Sequence, residues 1–445
     1  MKKYYYSLLK KYLALYILPQ NSVVEIDPAD RHLIKGLINA KMAQSDPFDA
    51  LGKNPQTASL SIVNFDDIGK LDFDYILLNG PIHSCRDIQA LLARIYSKVQ
   101  FNQRLILIYY SSLWSPIFRL ASLIGVRKKS GEQNWLAHED VINLLILENF
   151  ELVKQDSKVL IPIYIPLLSN FINSYIAPLP IIKHLCMVNI ALARPIPRFI
   201  ENQMPSVSVV IPARNEAGNM AAILARTPKM GPHDELIFIE GGSTDNTWHM
   251  IEDLVAKNAS NPERKVLAAK QPGKGKGDAV RLGFQMASNP ILMILDADMT
   301  VPPEDLPKFY EALVTGKGEF INGSRLVYPM EKCAMRFFNL LGNKFFAAAF
   351  SFVLGQRFKD TLCGTKVIKR DDYVKLAQNR SYFGEFDPFG DFDLIFGAAR
   401  MGLKIVEVPI VYRERTYGET NISRWRHGAI LLSMLLFASR KIKFL

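Results

Sequence analysis

The chain has 445 residues, of which 49% are hydrophobic, 11% aromatic and 22% charged. At about 100–200 residues per domain, this is two or three domains with ample length for buried cores, and the composition excludes a disordered, collagenous or coiled-coil protein. Lys and Arg outnumber Asp and Glu by 54 to 43, a net +11 with His neutral. Such a balance serves nucleic acid, phosphorylated ligands or anionic lipid, and composition alone does not choose among them.

The N-terminus, MKKYYYSLLKKYLALYILP, is basic and partly apolar. Lys10 and Lys11 interrupt its apolar stretch and no small-residue cleavage site follows, so it is not read as a secretory signal. NSVVEID, TASLSIVNF, FDYILLNG and RLILIYY read as buried strands, while RDIQALLARIYSKV and HEDVINLLILENF read as helices. Residues 39–56 read as loop. Alternating strands and helices predict a mostly parallel sheet. Cys85, Cys186, Cys333 and Cys363 form no C-x-x-C pair. A structural zinc site is therefore not expected, and such scattered cysteines suit a reducing cytosol.

The charge-free run between Lys158 and Lys183 is long enough to span a bilayer. Pro162, Pro166, Pro178 and Pro180, with Asn170 and Asn173, argue instead for an apolar hairpin or short helices packed on a domain. The proline-rich segment 194–208 then reads as a domain boundary. The strand–helix rhythm resumes with SVSVVIPARN, ELIFIEGG, PILMILDAD and GEFINGSR, so two α/β domains stand in series.

In the second domain VSVVI ends at Pro212 and a polar loop, and the next strand ends at Glu240 in EGGSTDNT. Ligands of open α/β sheets bind beyond the carboxyl ends of strands, where a carboxylate such as Glu240 accepts hydrogen bonds from a base or ribose. In KQPGKGKGDAVRLGF, glycines with Lys274 and Lys276 precede a helix, a combination that attracts phosphate although it lacks P-loop spacing. The strand ILMIL runs into Asp296-Ala297-Asp298. Two carboxylates that close repel if both ionise; a divalent cation relieves this, and oxygen ligands favour Mg2+ or Mn2+, which also clamp a diphosphate.

Together VVIPARNE, EGGSTDNT, GKGDAVRLGF, DADMTVPPEDL, INGSR, DTLCGTK, FGDFD and VPIVYRERTYGETNISR resemble family 2 glycosyltransferases of the GT-A fold. Within that family, the resemblance is to the dolichol-phosphate mannose synthase branch of polyprenyl-phosphate glycosyltransferases. It implies that Pro212, Arg214 and Glu216 line the nucleotide site, with Glu240 facing the base. It also implies that Asp296 and Asp298 hold the metal on the donor diphosphate, that Arg325 approaches a phosphate and that Lys366 replaces a common arginine. Arg415 matches the arginine of a C-terminal D-R-x-x-G-x-S-K pattern. The chain departs from the family at Gly241, where a second aspartate is common, at Thr300, where relatives carry glutamine or serine, and at Asn421, where the pattern has lysine and Arg424 is the nearby substitute. Asp391, ahead of Asp393 in FGDFD, is the candidate base for a hydroxyl acceptor; a phosphate acceptor is already anionic and needs none.

Two further segments are strongly apolar, residues 333–355 and the tail from 424, whose core Gly428–Ser439 is flanked by Arg424, Arg426, Arg440, Lys441 and Lys443. A core that short between basic flanks fits an interfacial segment, so peripheral attachment at the cytoplasmic face of the membrane is expected, with no spanning helix. No segment interleaves basic and aromatic residues as nucleic-acid readers do, and no nucleic-acid partner is expected.

The first domain resembles a class I methyltransferase through VVEIDPADRHLI, FDYILLNGPIHSCRDIQALLARI, RLILIYYSSLWSPIFRLASLIG and NWLAHEDVINLLILENFELV, with HLCMVNIALARP as the family's last, antiparallel strand. Asp27, Ala29 and Arg31 stand where the cofactor loop of that family has glycines, so bound S-adenosylmethionine is not expected. The chain thus reads as a methyltransferase-like domain (1–196), a linker (197–205), a GT-A domain (206–425) and a C-terminal helix (426–445). The expected activity is inverting, metal-dependent transfer of a hexose from a UDP- or GDP-sugar to polyprenyl phosphate. The alternatives are a hydroxyl acceptor served by Asp391, and a bifunctional methyltransferase–glycosyltransferase.

Overall fold

The computed structural model describes residues 2–26, 40–44, 61–62, 65–125, 134–197, 204–261, 264–328, 337–380, 390, 392–413, 417 and 424–444. The chain divides into two units, Met1–Pro197 with Ser439–Leu445, and Arg198–Ala438.

The first unit is built on strands β1 (Val23–Ile26), β2 (Ala40–Gln44), β3 (Ser61–Ile62), β4 (Tyr75–Asn79), β5 (Arg104–Tyr110), β6 (Phe150–Lys158) and β7 (Val188–Pro195). They form one sheet in the order β3-β2-β1-β4-β5-β7-β6. Neighbours from β3 to β5 are parallel, and β7 runs antiparallel to both β5 and β6. Every residue of β1 and β4 is buried, Glu25 and Asn79 included, as a parallel sheet covered on both faces requires. Leu9, Tyr12 and Leu13 of the N-terminal helix Lys2–Leu13 cover one face, and Leu92, Ile95 and Leu145 pack on the other.

The expectation of loop over 39–56 is corrected at 40–44, where Ala-Lys-Met-Ala-Gln forms β2 and pairs in parallel with β1. Alanine, lysine and glutamine have weak strand preference, and the pairing partner overrides it. The apolar run after β6 folds as a helical turn at Leu168–Phe171, a wide turn at Ile172–Ile176 and a short 3-10 turn at Ile182–Leu185. Among the described residues no helix is long and apolar enough to cross a membrane.

The second unit holds β8 (Val207–Ala213), β9 (Asp234–Glu240), β10 (Arg264–Lys270), β11 (Ile291–Ile294), β12 (Phe320–Ser324), β13 (Lys366–Lys369) and β14 (Ile405–Pro409), in the order β10-β9-β8-β11-β13-β12-β14. Strands β8 to β11 are parallel, and β13 inserts antiparallel between β11 and β12. The chain builds outward from β8 through β9 to β10, then returns to add β11 on the other side of β8. That reversal opens a crevice at the carboxyl ends of β8 and β11, the usual ligand site of such sheets. The helix Lys276–Met286 lies tight against β8 because Gly283 faces Val210, where a Cβ would collide with the valine side chain. The helices Phe337–Leu354 and Arg424–Ala438 pack against each other.

Candidate active site

Strand β11 delivers Asp296 and Asp298 to the mouth of this crevice. Asp298 is buried, and its Oδ1 accepts hydrogen bonds from the Thr300 amide (3.1 Å) and hydroxyl (2.9 Å). Thr300 therefore fixes the rotamer of Asp298. Asp296 meets Lys276, whose Nζ lies 2.6 Å from its Oδ1. Burial alone would raise the Asp296 pKa; the charge of Lys276 and its hydrogen bond, then the charges of Lys366 and Arg325, outweigh burial and hold the carboxyl below its usual range. Four residues far apart in sequence thus share one electrostatic site.

Each is set there by a local device. Lys276 is the first residue of its helix, preceded by Gly275 at φ 88°, and Asp278 closes the loop by accepting from the Gly273 amide at 2.8 Å. Positive φ is why glycine stands at 275. The amides of this helix N-terminus and Lys276 together favour an anion. Lys366, at the start of β13, is buried and donates to the Cys363 carbonyl. Between them in the chain, Gly364 lets the backbone pass over the ion pair: a Cβ there would fall on Asp296 Oδ2 and Lys276 Nζ.

Arg325 follows β12 and is clamped by Asp360, with Nε 2.6 Å from Oδ2 and Nη2 2.8 Å from Oδ1. The carboxylate is wholly buried and also accepts the Arg325 and Leu362 amides. Burial would raise the Asp360 pKa, but Arg325 lowers it below the ordinary range; burial would lower that of Arg325, but Asp360 raises it. Asp360 was not singled out from the sequence, although it lies in DTLCGTK. A guanidinium on a buried strand end calls for a counter-charge, and that is the signal that points to it.

On the other side of the crevice Pro212 is half-buried in β8 and Arg214 is exposed. Glu216 is buried and accepts from Asn219 Nδ2 at 2.7 Å, while its amide donates to the Thr247 hydroxyl at 2.9 Å. Glu240, at the end of β9, accepts from the Ser243 amide. The loop 241–247 is thereby stitched to 215–219, with Asp245 accepting from the Ala217 amide (3.4 Å) and the Tyr417 hydroxyl (3.4 Å). The Tyr417 ring lies over Gly218, where a Cβ would come within 2.7 Å of it. Gly241, the departure from the family aspartate, has only ordinary contacts at 3.5 Å or more around the position of a Cβ.

Asp391, Arg415 and Asn421 lie outside the described residues. Asp393 is described: its Oδ2 accepts from Arg380 Nε at 2.6 Å and lies 3.9 Å from Arg281. Gly390 adopts φ 71° and rests on Gly277, where a Cβ would be 2.5 Å from the Gly277 Cα, so Gly390 meets the first turn of the helix Lys276–Met286. Among the described residues no group of three or more His, Cys, Asp or Glu gathers to hold a metal.

The switch point of this doubly wound sheet thus gathers paired aspartates, lysines and an arginine where open α/β sheets bind their ligands. The glycosyl transferase family 2 profile matches residues 208–375. The chain is 30% identical over 228 residues to glycosyltransferase AglJ of Haloferax volcanii, covering 51% of this chain and 69% of the relative. It is 28% identical over 222 residues to the dolichol-phosphate mannosyltransferase of Pyrococcus furiosus (48% and 59% of the two chains). It is 27% identical over 233 residues to the dolichyl-phosphate hexose transferase of Haloferax volcanii (52% and 92%). The chain belongs to glycosyl transferase family 2 and is a glycosyltransferase.

Proposed function

We propose that this enzyme transfers a hexose from a UDP- or GDP-sugar to polyprenyl phosphate, with inversion at the anomeric carbon. The observation that carries this reading is the ring of Lys276, Lys366 and Arg325 around Asp296 at the switch point of the sheet. Asp296 and Asp360 offset two of these three positive charges, and the cations still present N–H donors to a donor diphosphate and to an acceptor phosphate beside it. The polyprenyl-phosphate acceptor is supported by the relatives named for dolichyl phosphate.

Phosphate oxygen of the acceptor attacks the anomeric carbon, and the bond to the nucleoside diphosphate breaks on the opposite side. Such an acceptor is anionic before it binds, so orientation and charge matter more than a base. Lys276 and the helix amides behind it hold the leaving diphosphate; Arg325, fixed by Asp360, orients the incoming phosphate. Arg415 would add charge at the leaving group. Glu216 and Glu240 flank the pocket for the base and ribose, lined by Pro212 and Arg214.

The donor set fits a hard divalent ion, because Asp296 and Asp298 offer carboxylate oxygens one residue apart and Asp296 is held ionised. Asp296 and Asp298 would hold Mg2+ or Mn2+, which would supply charge neutralisation for the donor diphosphate. The exposed apolar side chains Leu341 and Phe345 of one packed helix, with Leu432 and Leu436 of the other, support contact of this unit with the lipid face that carries the acceptor. In the first unit, the antiparallel β7 supports the methyltransferase-like reading, without bound S-adenosylmethionine.

The test is transfer of label from a panel of UDP- and GDP-hexoses to undecaprenyl phosphate, counted in the organic phase with Mn2+ or Mg2+. Organic-soluble label that disappears with chelator, and in Asp296→Asn, is expected. No label from any donor, with nucleotide binding retained, moves the acceptor to a hydroxyl and the base to Asp391.

A further inference from the structure

Unit 1 carries an apolar surface that the transfer reaction does not use. The helix Ser115–Leu123 and its flanks turn Trp114 and Phe118 toward the core. The opposite side is apolar too: Leu113, Ile117, Leu120 and Ile124 recur at helical spacing and all are exposed, Ile124 at 66%. A surface helix of a protein surrounded by water is polar on its outer face.

A second protrusion adjoins it, since Trp114 Nε1 donates to the Leu185 carbonyl at 2.9 Å. It is the run between β6 and β7, whose tips Leu167 and Ile181 are 88% and 84% exposed. Leu167 sits at φ 62° and ψ −48°, the centre of a γ-turn closed by the Leu168 amide on the Pro166 carbonyl at 2.7 Å, a rare and strained turn, so the apolar tip is held outward against local preference. The run is also a built structure. Buried Asn173 accepts from the Leu160 and Ile161 amides at 2.8 and 3.0 Å and donates to the Ile161 carbonyl at 2.8 Å. Ser169 Oγ accepts from the Ile165 amide and donates to the Ile163 carbonyl. Backbone groups satisfied from within are what entry into lipid demands.

Charge selects the partner. The N-terminal helix borders the run through Tyr4, whose hydroxyl donates to Asn170 Oδ1 at 3.0 Å. Residues 2–18, 111–125 and 159–187 contain no Asp or Glu, while Lys3, Lys11 and Arg119 are exposed on them and Lys183 is half-buried. Apolar tips on segments whose charged side chains are all cationic match an anionic bilayer, with side chains in the acyl boundary and ammonium groups among the headgroups.

We infer that unit 1 docks on anionic membranes through Leu113–Ile124 and the 159–185 protrusion, independently of the chemistry in unit 2. The test is flotation of the full chain, without sugar donor, on phosphatidylglycerol–phosphatidylcholine vesicles and on phosphatidylcholine alone. The triple variant Leu120→Asp, Leu167→Asp, Ile181→Asp changes only exposed positions. Its circular dichroism and melting temperature are checked alongside. The native chain is expected to float preferentially with the anionic vesicles, and the folded triple variant to partition about tenfold less or worse. The proposal is overturned if the native chain stays in solution, or if the triple variant floats as well as the native chain. It is equally overturned if the native chain ignores vesicles and self-associates through these side chains, which would make the face an interface between copies.

Discussion

Asp360 and Arg325 illustrate how a single pair links stability to the site. The carboxylate is fully buried, and its pKa lies below the ordinary range because Arg325 outweighs the burial that would raise it. A depressed folded pKa means stability that is present above the unfolded value of about 3.9 and lost as pH falls through the folded value. Asp360→Asn leaves the guanidinium without its counter-charge, and removal of one partner of such a pair costs about 3–5 kcal/mol. Chemical denaturation at neutral pH is expected to record that loss. The same variant is expected to lower the transfer rate about 10–100-fold, as loss of a supporting partner does, through a looser Arg325. Unchanged kcat in a destabilised but folded Asp360→Asn would separate Arg325 from the reaction. The Asp296 pair and Lys276 were legible in the sequence because strand and loop patterns surround them. Asp360 was not, since its role depends on a contact across 35 residues that no local pattern encodes.

At the scale of elements, the runs with the most uniform burial were the most legible. RLILIYY and ELIFIE become β5 and β9 because every residue but the last of β5 is buried. β2 was not legible: its Ala-Lys-Met-Ala-Gln carries no strand signature, and its register comes from β1 and β3. β10, Arg264–Lys270, is likewise an edge strand of mixed burial that the apolar pattern does not mark. The glycines of the site act at this scale, because they set how closely elements approach. Gly364→Ala is expected to abolish transfer while the far-ultraviolet circular dichroism stays native, since its Cβ would occupy the Asp296–Lys276 ion pair. Full activity in that variant would mean the loop yields easily and the pair is not the working arrangement.

Strand β6 gives the element scale a second test. Its Lys154 and Lys158 are buried in unit 1, where Asp156 pairs with Lys443 and accepts from the Tyr16 hydroxyl at 3.1 Å. Burial would raise the Asp156 pKa; Lys158, Lys443 and Lys154 hold it well below the usual range. By the same sign, its stabilisation is present at neutral pH and lost in acid. Asp156→Asn would remove the carboxylate that these three lysines share, and the melting temperature is expected to fall markedly at pH 7 and by distinctly less near pH 2, where part of the stabilisation is already lost. An equal loss at both values would assign the effect to packing instead of charge.

The two sheets lay out their first four strands in the same order and diverge beyond them, and they differ in what stands at their switch points. In unit 2 the strand order reverses between β8 and β11, and the aspartates, lysines and glycines gather there. In unit 1 it reverses between β1 and β4, where Glu25 is buried and lies 3.5 Å from Asn79 Nδ2. The following segment, with Asp27, Ala29 and Arg31 in place of glycines, lies outside the described residues. If Asp27 faced the carboxylate of S-adenosylmethionine as the resemblance implies, the two like charges would raise each other's cost of ionisation. Ligand-dependent hydrogen exchange on the full chain distinguishes the two sheets. UDP or GDP with Mn2+ is expected to slow exchange in the segments after β8, β9 and β11 and in the turn before Lys276, because amides aimed at phosphate lose access to solvent on binding. S-adenosylmethionine at the same concentration is expected to leave exchange after β1 and β4 unchanged. Protection there by S-adenosylmethionine would restore a second active site to unit 1 and make the chain bifunctional. Protection by nucleotide in both sheets would mean that sheet topology alone, without the Asp296 cluster, suffices to bind the donor.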